Sequence, residues 1–241
     1  MSTPNLYRRF TWFFRTEGNP IQAVLDAQDR NEVPDERHDS PVLAFKLYQK
    51  SLGYFLLVDT EPNLDYPALL QVFAKDLAFK RPFDSLMTHG VNSSKARPLE
   101  RIYKLDQKVP YAATKGQLNT SISSYRRFVW TLLLEDDPVL IAEYKRIHGI
   151  GMAWPEITSN MKTVGVKDME IYLHESQAIL IMDTHPDFSL EDIGPKWQQL
   201  PREQEWQEYV GRFQRTDPNN SIQEKWKEMV EVPLTPQRNR T

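Results

Sequence analysis

The chain has 241 residues, 40% of them hydrophobic, with 30 basic and 33 acidic side chains and a formal net charge of −3. That is the composition of an ordinary folded protein, and so small a charge imbalance gives no electrostatic reason to expect nucleic acid or an anionic membrane as partner. There is no cysteine, which excludes disulfides, zinc-thiolate sites, iron–sulfur clusters and cysteine nucleophiles. Five histidines remain for proton transfer near neutral pH.

The stretch up to Phe14 holds too short an apolar run for a signal peptide, and no run approaches the ~20 residues that cross a bilayer. The expected location is the cytoplasm. Tyr7-Arg8-Arg9-Phe10-Thr11-Trp12 recurs as Tyr125-Arg126-Arg127-Phe128-Val129-Trp130, and in the same register Glu17 meets Glu135 and Pro20 meets Pro138. Further on, Leu56-Leu57-Val58-Asp59-Thr60 recurs as Leu180-Ile181-Met182-Asp183-Thr184, with Leu47-Tyr48 answering to Ile171-Tyr172 and Pro62 to Pro186. Two ordered matches with one small gap read as an internal duplication; the alternative is a common aromatic strand pattern met twice. The division expected is a first copy over 1–104, a polar linker over 105–122, a second copy over 123–235 and a frayed tail over 236–241.

In the second copy, Tyr125–Leu134 is aromatic and β-branched without a breaker and predicts a strand. Asp137 is a helix cap, Pro138 suits the first helical position, and Ile141, Tyr144, Ile147 and His148 share one face of the helix that follows. Gly149 and Gly151 end it, and Trp154-Pro155-Glu156 opens another helix running to about Thr163. Lys167–His174 and Gln177–Thr184 predict a hairpin about Glu175-Ser176. Phe188–Phe213 reads as helix broken near Gly194-Pro195 and Leu200-Pro201. Glu224–Val232 gives a last strand, or a helix entering one. Strand, helix, strand, strand, helix, strand is the ferredoxin-like order. The expected fold class is α+β: tandem ferredoxin-like domains of the dimeric α/β barrel type, packed sheet to sheet as a pseudo-dimer, with an apolar second sheet face for that contact. The chain would then be a monomer or a homodimer of such pairs.

Tyr144 and His148, four apart on a helix, lie side by side within reach of one ligand, and a histidine beside a phenol can move protons near neutrality. The same histidine also reads as a cation favoured by the helix C-terminal dipole. The first copy has Asp26 and Arg30 at these positions. Those two residues with Asp29 read as a solvated helix face or as a different pocket, and Phe83 falls near the place of Trp206. Trp154 and Trp197 read as core.

The segments Ala142–His148, Trp154-Pro155-Glu156, Gly165–Leu173, Glu203–Tyr209, Asp217–Ser221 and Val230–Leu234 occur in this order. Over 125–233 the chain thereby resembles the L-rhamnose mutarotase family, small sugar epimerases with a dimeric ferredoxin-like fold. The resemblance implies that Tyr144 binds the sugar and His148 is the acid/base group. It implies that Trp206 is the first member of a sugar-lining Trp–Trp pair, the second being replaced by Gln207, and that Met169 stands where the family has a sugar-binding tyrosine. The stretch from His148 to Trp154 is longer than the family's. The implied function is interconversion of the α and β anomers of L-rhamnose or a related monosaccharide, an isomerase reaction needing no cofactor and no metal. Two other readings stay open: a cofactor-free monooxygenase or cyclase of the same architecture, which would show a wholly apolar cleft, and a non-catalytic sugar-binding protein.

Overall fold

The computed structural model describes residues 5–16, 40–90, 97–215 and 225–234. Strand β1, Leu6–Arg15, buries both its faces nearly throughout: aromatic Tyr7, Phe10, Trp12, Phe13 and Phe14 supply most of the buried positions, with Arg9 and Thr11 buried among them. Strands β2, Val42–Lys50, and β3, Gly53–Thr60, form a hairpin whose tight turn needs positive φ at Ser51. Helices α1, Tyr66–Lys75, and α2, Leu77–His89, are capped by Asp65 and Asp76. Strands β4, Glu100–Lys104, and β5, Gln117–Thr120, precede the second copy. There β6 is Arg126–Leu133, α3 Pro138–His148, α4 Pro155–Thr163, β7 Val166–His174 and β8 Gln177–Thr184. Helices α5, Leu190–Trp197, and α6, Glu203–Gly211, and strands β9, Lys227–Glu228, and β10, Val230–Val232, complete the order.

Two five-stranded antiparallel sheets result, ordered β10-β2-β3-β1-β5 and β4-β7-β8-β6-β9. In each, the copy's second, third, first and fourth strands lie side by side, which is the ferredoxin-like order, and a fifth strand joins the edge of the second. That fifth strand comes from the other half of the sequence: β10 pairs with β2, and β4 pairs with β7. An unpaired strand edge exposes a row of N–H and C=O groups, and the added strand satisfies it.

The duplication reappears in atomic detail. Arg9 stands opposite Asp59 and makes two bonds to its carboxylate, at 2.7 and 2.8 Å. Arg127 does the same to Asp183, both at 2.7 Å. The two guanidiniums lie over the rings of Tyr7 and Tyr125. Thr60 donates to the carbonyls of Arg8 and Glu61, and Thr184 to those of Arg126 and His185. The second hairpin turns through positive φ at Glu175 as the first does at Ser51.

The chain divides into two compact units: Met1–Leu99 with Tyr111–Ser121 and Val230–Thr241, and Glu100–Pro110 with Ile122–Met229. The boundaries are interleaved because strands, not sequence halves, complete each sheet. The segment 105–122 expected as a linker carries β5, which pairs with β1 from Leu6↔Thr120 to Arg9↔Gln117. The last strand is split at Met229, whose neighbours β9 and β10 pair with β6 and β2 respectively. The break expected at Leu200-Pro201 is present, but Gly194-Pro195 lies inside α5. Proline there removes one hydrogen bond from an eight-residue helix, and the remaining turns close by Ile193 to Ser189 and Gln198 to Gly194.

The second face of the β4-β7-β8-β6-β9 sheet is mixed: Val129, Tyr172, Ile179 and Ile181 give it the expected buried apolar centre, and charged pairs lie beside them. One face of the β4-β7-β8-β6-β9 sheet carries Phe128, Leu132, Met169, Ile171, Leu180 and Met182 toward the helices. The alternate positions hold Arg127 paired with Asp183, and Arg101 paired with Glu170 at 2.5 Å, the latter side chains each 1% exposed. Lys104 joins Asp168 and Glu170, and the Tyr172 hydroxyl donates to Glu170. Burial and the neighbouring Glu170 carboxylate raise the Asp168 pKa. These charges fit a strand face because period-two alternation leaves every second position free of the helix-side core.

Candidate active site

Helix α3 begins where Asp137 accepts from the backbone N–H of Val139 and Leu140, and Pro138 occupies its first turn. Its buried residues are Tyr144, Ile147 and His148, as the 3.6-residue period requires. In the last turn His148 Nδ1 lies 2.8 Å from the Tyr144 carbonyl oxygen. A carbonyl can only accept, so Nδ1 carries the proton and Nε2 is the lone-pair nitrogen. Nε2 makes no hydrogen bond among the described residues. Burial lowers the His148 pKa to about 4. The ring is therefore neutral at physiological pH and is not the dipole-stabilised cation that its helix position alone suggests. The Tyr144 ring centroid is 4.2 Å from that of His148, and burial raises the pKa of its hydroxyl.

These side chains line a cavity of about 600 Å³ within the second unit, inside the range of small-molecule sites. The sheet forms its floor through Trp130, Met169, Ile171, Leu180 and Met182. Helices α4 and α6 supply Ile157, Met161, Glu203, Trp206, Gln207 and Val210. Helix α5 brings Glu191 and Pro195, and its C-terminal cap Gln198, all exposed, to the wall. Each residue predicted for the site, Tyr144, His148, Met169, Trp206 and Gln207, is on this one wall.

Trp206 stands edge-on to His148 at 5.7 Å. Trp154 meets it edge-on at 5.3 Å and stacks on Tyr209, while the Arg202 guanidinium sits 4.0 Å over Trp154. Trp154 thus has the packing role expected of it. Trp197 likewise packs against the core, as expected, and also lines the cavity. Gln207 Nε2 donates to Glu203 Oε1 at 3.2 Å, which leaves the Gln207 carbonyl free to accept.

Tyr103, Glu203, Gln214 and Trp226 are among the lining groups that escape the sequence reading. Tyr103, on β4, faces His148 edge-on at 6.0 Å, and burial pushes its hydroxyl pKa up to about 12. It belongs to the first half of the chain, so no inspection of the second copy could find it. Glu203, buried on α6, opens the family-like segment Glu203–Tyr209, and its i, i+4 spacing to Gln207 is a usable signal. Gln214 and Trp226 reach the wall through irregular chain that periodicity does not read. In the first copy, Trp12, the counterpart of Trp130, is wholly buried among Phe10, Tyr66 and Phe83. Rings fill there the place that faces the cavity in the second copy. Asp26, Asp29 and Arg30 lie outside the described residues. No helix among the described residues is long and apolar enough to cross a membrane.

The family model described as L-rhamnose mutarotase matches residues 127–232. An L-fucose mutarotase of Xanthomonas campestris pv. campestris is 30% identical over 105 residues, covering 44% of this chain and 84% of that protein. A UPF0734 protein of Dictyostelium discoideum is 29% identical over 109 residues, covering 44% of this chain and 86% of its own length. Among solved structures, an anthrone oxidase-like protein aligns over 95% of this chain and 92% of its own, with TM-score 0.47 and 11% identity. A ferredoxin-fold protein of Listeria monocytogenes related to antibiotic biosynthesis monooxygenases aligns over 94% of this chain and 95% of its own, with TM-score 0.33 and 10% identity.

Proposed function

The chain belongs, through residues 127–232, to the L-rhamnose mutarotase family, and from that premise we propose that it interconverts the α and β anomers of L-rhamnose, L-fucose or a related monosaccharide. The observation that carries the reading is a neutral imidazole, His148, with a free Nε2 on the wall of a cavity that also holds Tyr144 and Trp206. In the reaction, His148 Nε2 takes the proton of the anomeric hydroxyl. The bond from C1 to the ring oxygen breaks, its electron pair goes to that oxygen, and the imidazolium returns the proton there. One imidazole serves both ends because hydroxyl and ring oxygen are attached to the same carbon. Rotation about C1–C2 presents the other aldehyde face, and the steps run backward. A pKa near 4 makes His148 a weak base but its conjugate acid a strong donor, which suits ring-oxygen protonation.

The Tyr144 hydroxyl, kept neutral by burial, orients the sugar by hydrogen bonding. Trp206 stacks on the apolar face of the pyranose, and the Gln207 carbonyl accepts from a hydroxyl. Met169 forms the floor. Positioned acid–base help of roughly 10²–10⁴-fold is enough for a reaction that already proceeds in water. The apolar-cleft reading of a monooxygenase or cyclase is disfavoured by Glu191, Glu203, Gln207 and Gln214 on the wall. Saturation-transfer NMR on L-rhamnose and L-fucose tests the proposal. Wild-type protein should accelerate anomer exchange, and His148→Ala should lose roughly 10²-fold or more of that acceleration. Absence of wild-type exchange on every monosaccharide tried would refute it.

A further inference from the structure

Glu203 opens α6 with its side chain on the cavity wall and 3% of the residue exposed. The mechanism above does not use it. A carboxylate so buried must be hydrogen-bonded or paired. Asn160 Nδ2 donates to Oε2 at 3.1 Å and Gln207 Nε2 to Oε1 at 3.2 Å. Both donors are neutral, and Glu203 has no ion pair among the described residues. The N-terminal end of α6 further favours an anion there. Two donors use about half of the acceptor capacity of a carboxylate, so lone pairs remain for a ligand.

The rest of the wall has the same bias. Its other ionisable groups include Glu191 and Glu228, both exposed, and neutral His148; no lysine or arginine lines the cavity among the described residues. Gln214, also on the wall and 6% exposed, has a side-chain carbonyl with no hydrogen-bond partner. Glu203 is thus a buried acceptor that the protein's own donors leave partly unmet, and the described wall offers an incoming anion no cation.

We propose that Glu203 is a specificity-determining residue of this cavity, accepting a hydrogen bond from one substrate hydroxyl and excluding sugars that carry a phosphate or carboxylate. The inference rests on the cavity being the sugar site. A group built to accept a hydroxyl discriminates sharply against the analogue that lacks it, because the acceptor is then left buried and unmet.

The test uses whichever of L-rhamnose and L-fucose exchanges faster, its monodeoxy and monoamino analogues, the uronic acid in which a carboxylate replaces its C6 methyl group, and a phosphate ester of one of its non-anomeric hydroxyls. Exchange is followed by NMR and binding by tryptophan fluorescence, for wild type and Glu203→Gln. In wild type, one deoxy position should lower kcat/KM about 10–100-fold. The amine at that position should bind at least as tightly as the parent and more weakly as pH rises through its pKa, and the anionic sugars should neither bind nor exchange. In Glu203→Gln the deoxy penalty should shrink to a few-fold and the carboxylate sugar should bind. Equal deoxy penalties in the two proteins, or wild-type binding of the anionic sugars as strong as of the parent, would overturn the role of Glu203. If Glu203→Gln does not fold, the wild-type panel decides alone. A wild type that neither exchanges nor binds any neutral sugar overturns the reading of the cavity itself, a result separable from exchange with an unselective panel.

Discussion

His148 shows how far a local motif can mislead about charge. On spacing alone it is a basic residue in the last turn of a helix, where the dipole favours a cation. Burial outweighs that effect and pulls its pKa down to about 4, since desolvation penalises the charged form directly. Two consequences follow for pH. In the proposed mechanism the reactive form is the neutral one, so kcat/KM should be level from about pH 8 to about 5 and fall as pH drops through about 4. A profile that instead falls near about 6.5 would show an ordinary, solvated histidine. The folded pKa also lies below the unfolded value, so the unfolded chain binds the proton first. Stability due to neutral His148 is complete above about pH 6.5 and is lost as pH falls toward about 4. Denaturant unfolding of wild type and His148→Gln should therefore converge over that window, by an amount on the order of 3 kcal/mol.

At the scale of elements, the site is a helix-end arrangement. Helix α3 delivers Tyr144 and His148 from its C-terminal half, and α6 delivers Glu203, Trp206 and Gln207 from its N-terminal half. The register of α3 is set at its other end, where the Asp137 side chain accepts two backbone N–H groups. Asp137→Ala should cost about 1 kcal/mol in denaturant unfolding. Its effect on exchange should appear mainly in kcat through slight misplacement of His148, with KM changed less. An unchanged midpoint would mean that sheet packing, not the cap, holds the helix. The caps and turns of both α3 and the β7–β8 hairpin are legible in the sequence because Asp-Pro and the Glu-Ser turn act through their immediate neighbours.

At the scale of the molecule, neither sheet is built from one half of the sequence. Strand β4 supplies Arg101 to buried Glu170 and Tyr103 to the cavity, though it precedes the strand that opens the second copy by a long stretch of chain. Removing one partner of a buried pair strands the other, typically at about 3–5 kcal/mol. A fragment 122–241 should therefore unfold at lower denaturant than 98–241, which keeps β4, and should bind sugar more weakly. Equal midpoints for the two fragments would show that β4 is dispensable to its sheet.

The duplication, the ferredoxin-like order, the cap at Asp137 and the shared helix face of Tyr144 and His148 were all present in the sequence, because each rests on periodicity or on residues a few positions apart. The tertiary structure alone decided the rest. It brought Tyr103, Gln214 and Trp226 to the cavity, split the final strand between two sheets, placed ion pairs on a face expected to be apolar, and made His148 neutral. These features depend on which strand pairs with which edge and on how completely a side chain loses water, and both are set by segments far apart in the chain. The composition left five histidines for proton transfer; burial, a property of the fold, set one of them apart as a neutral imidazole on a cavity wall.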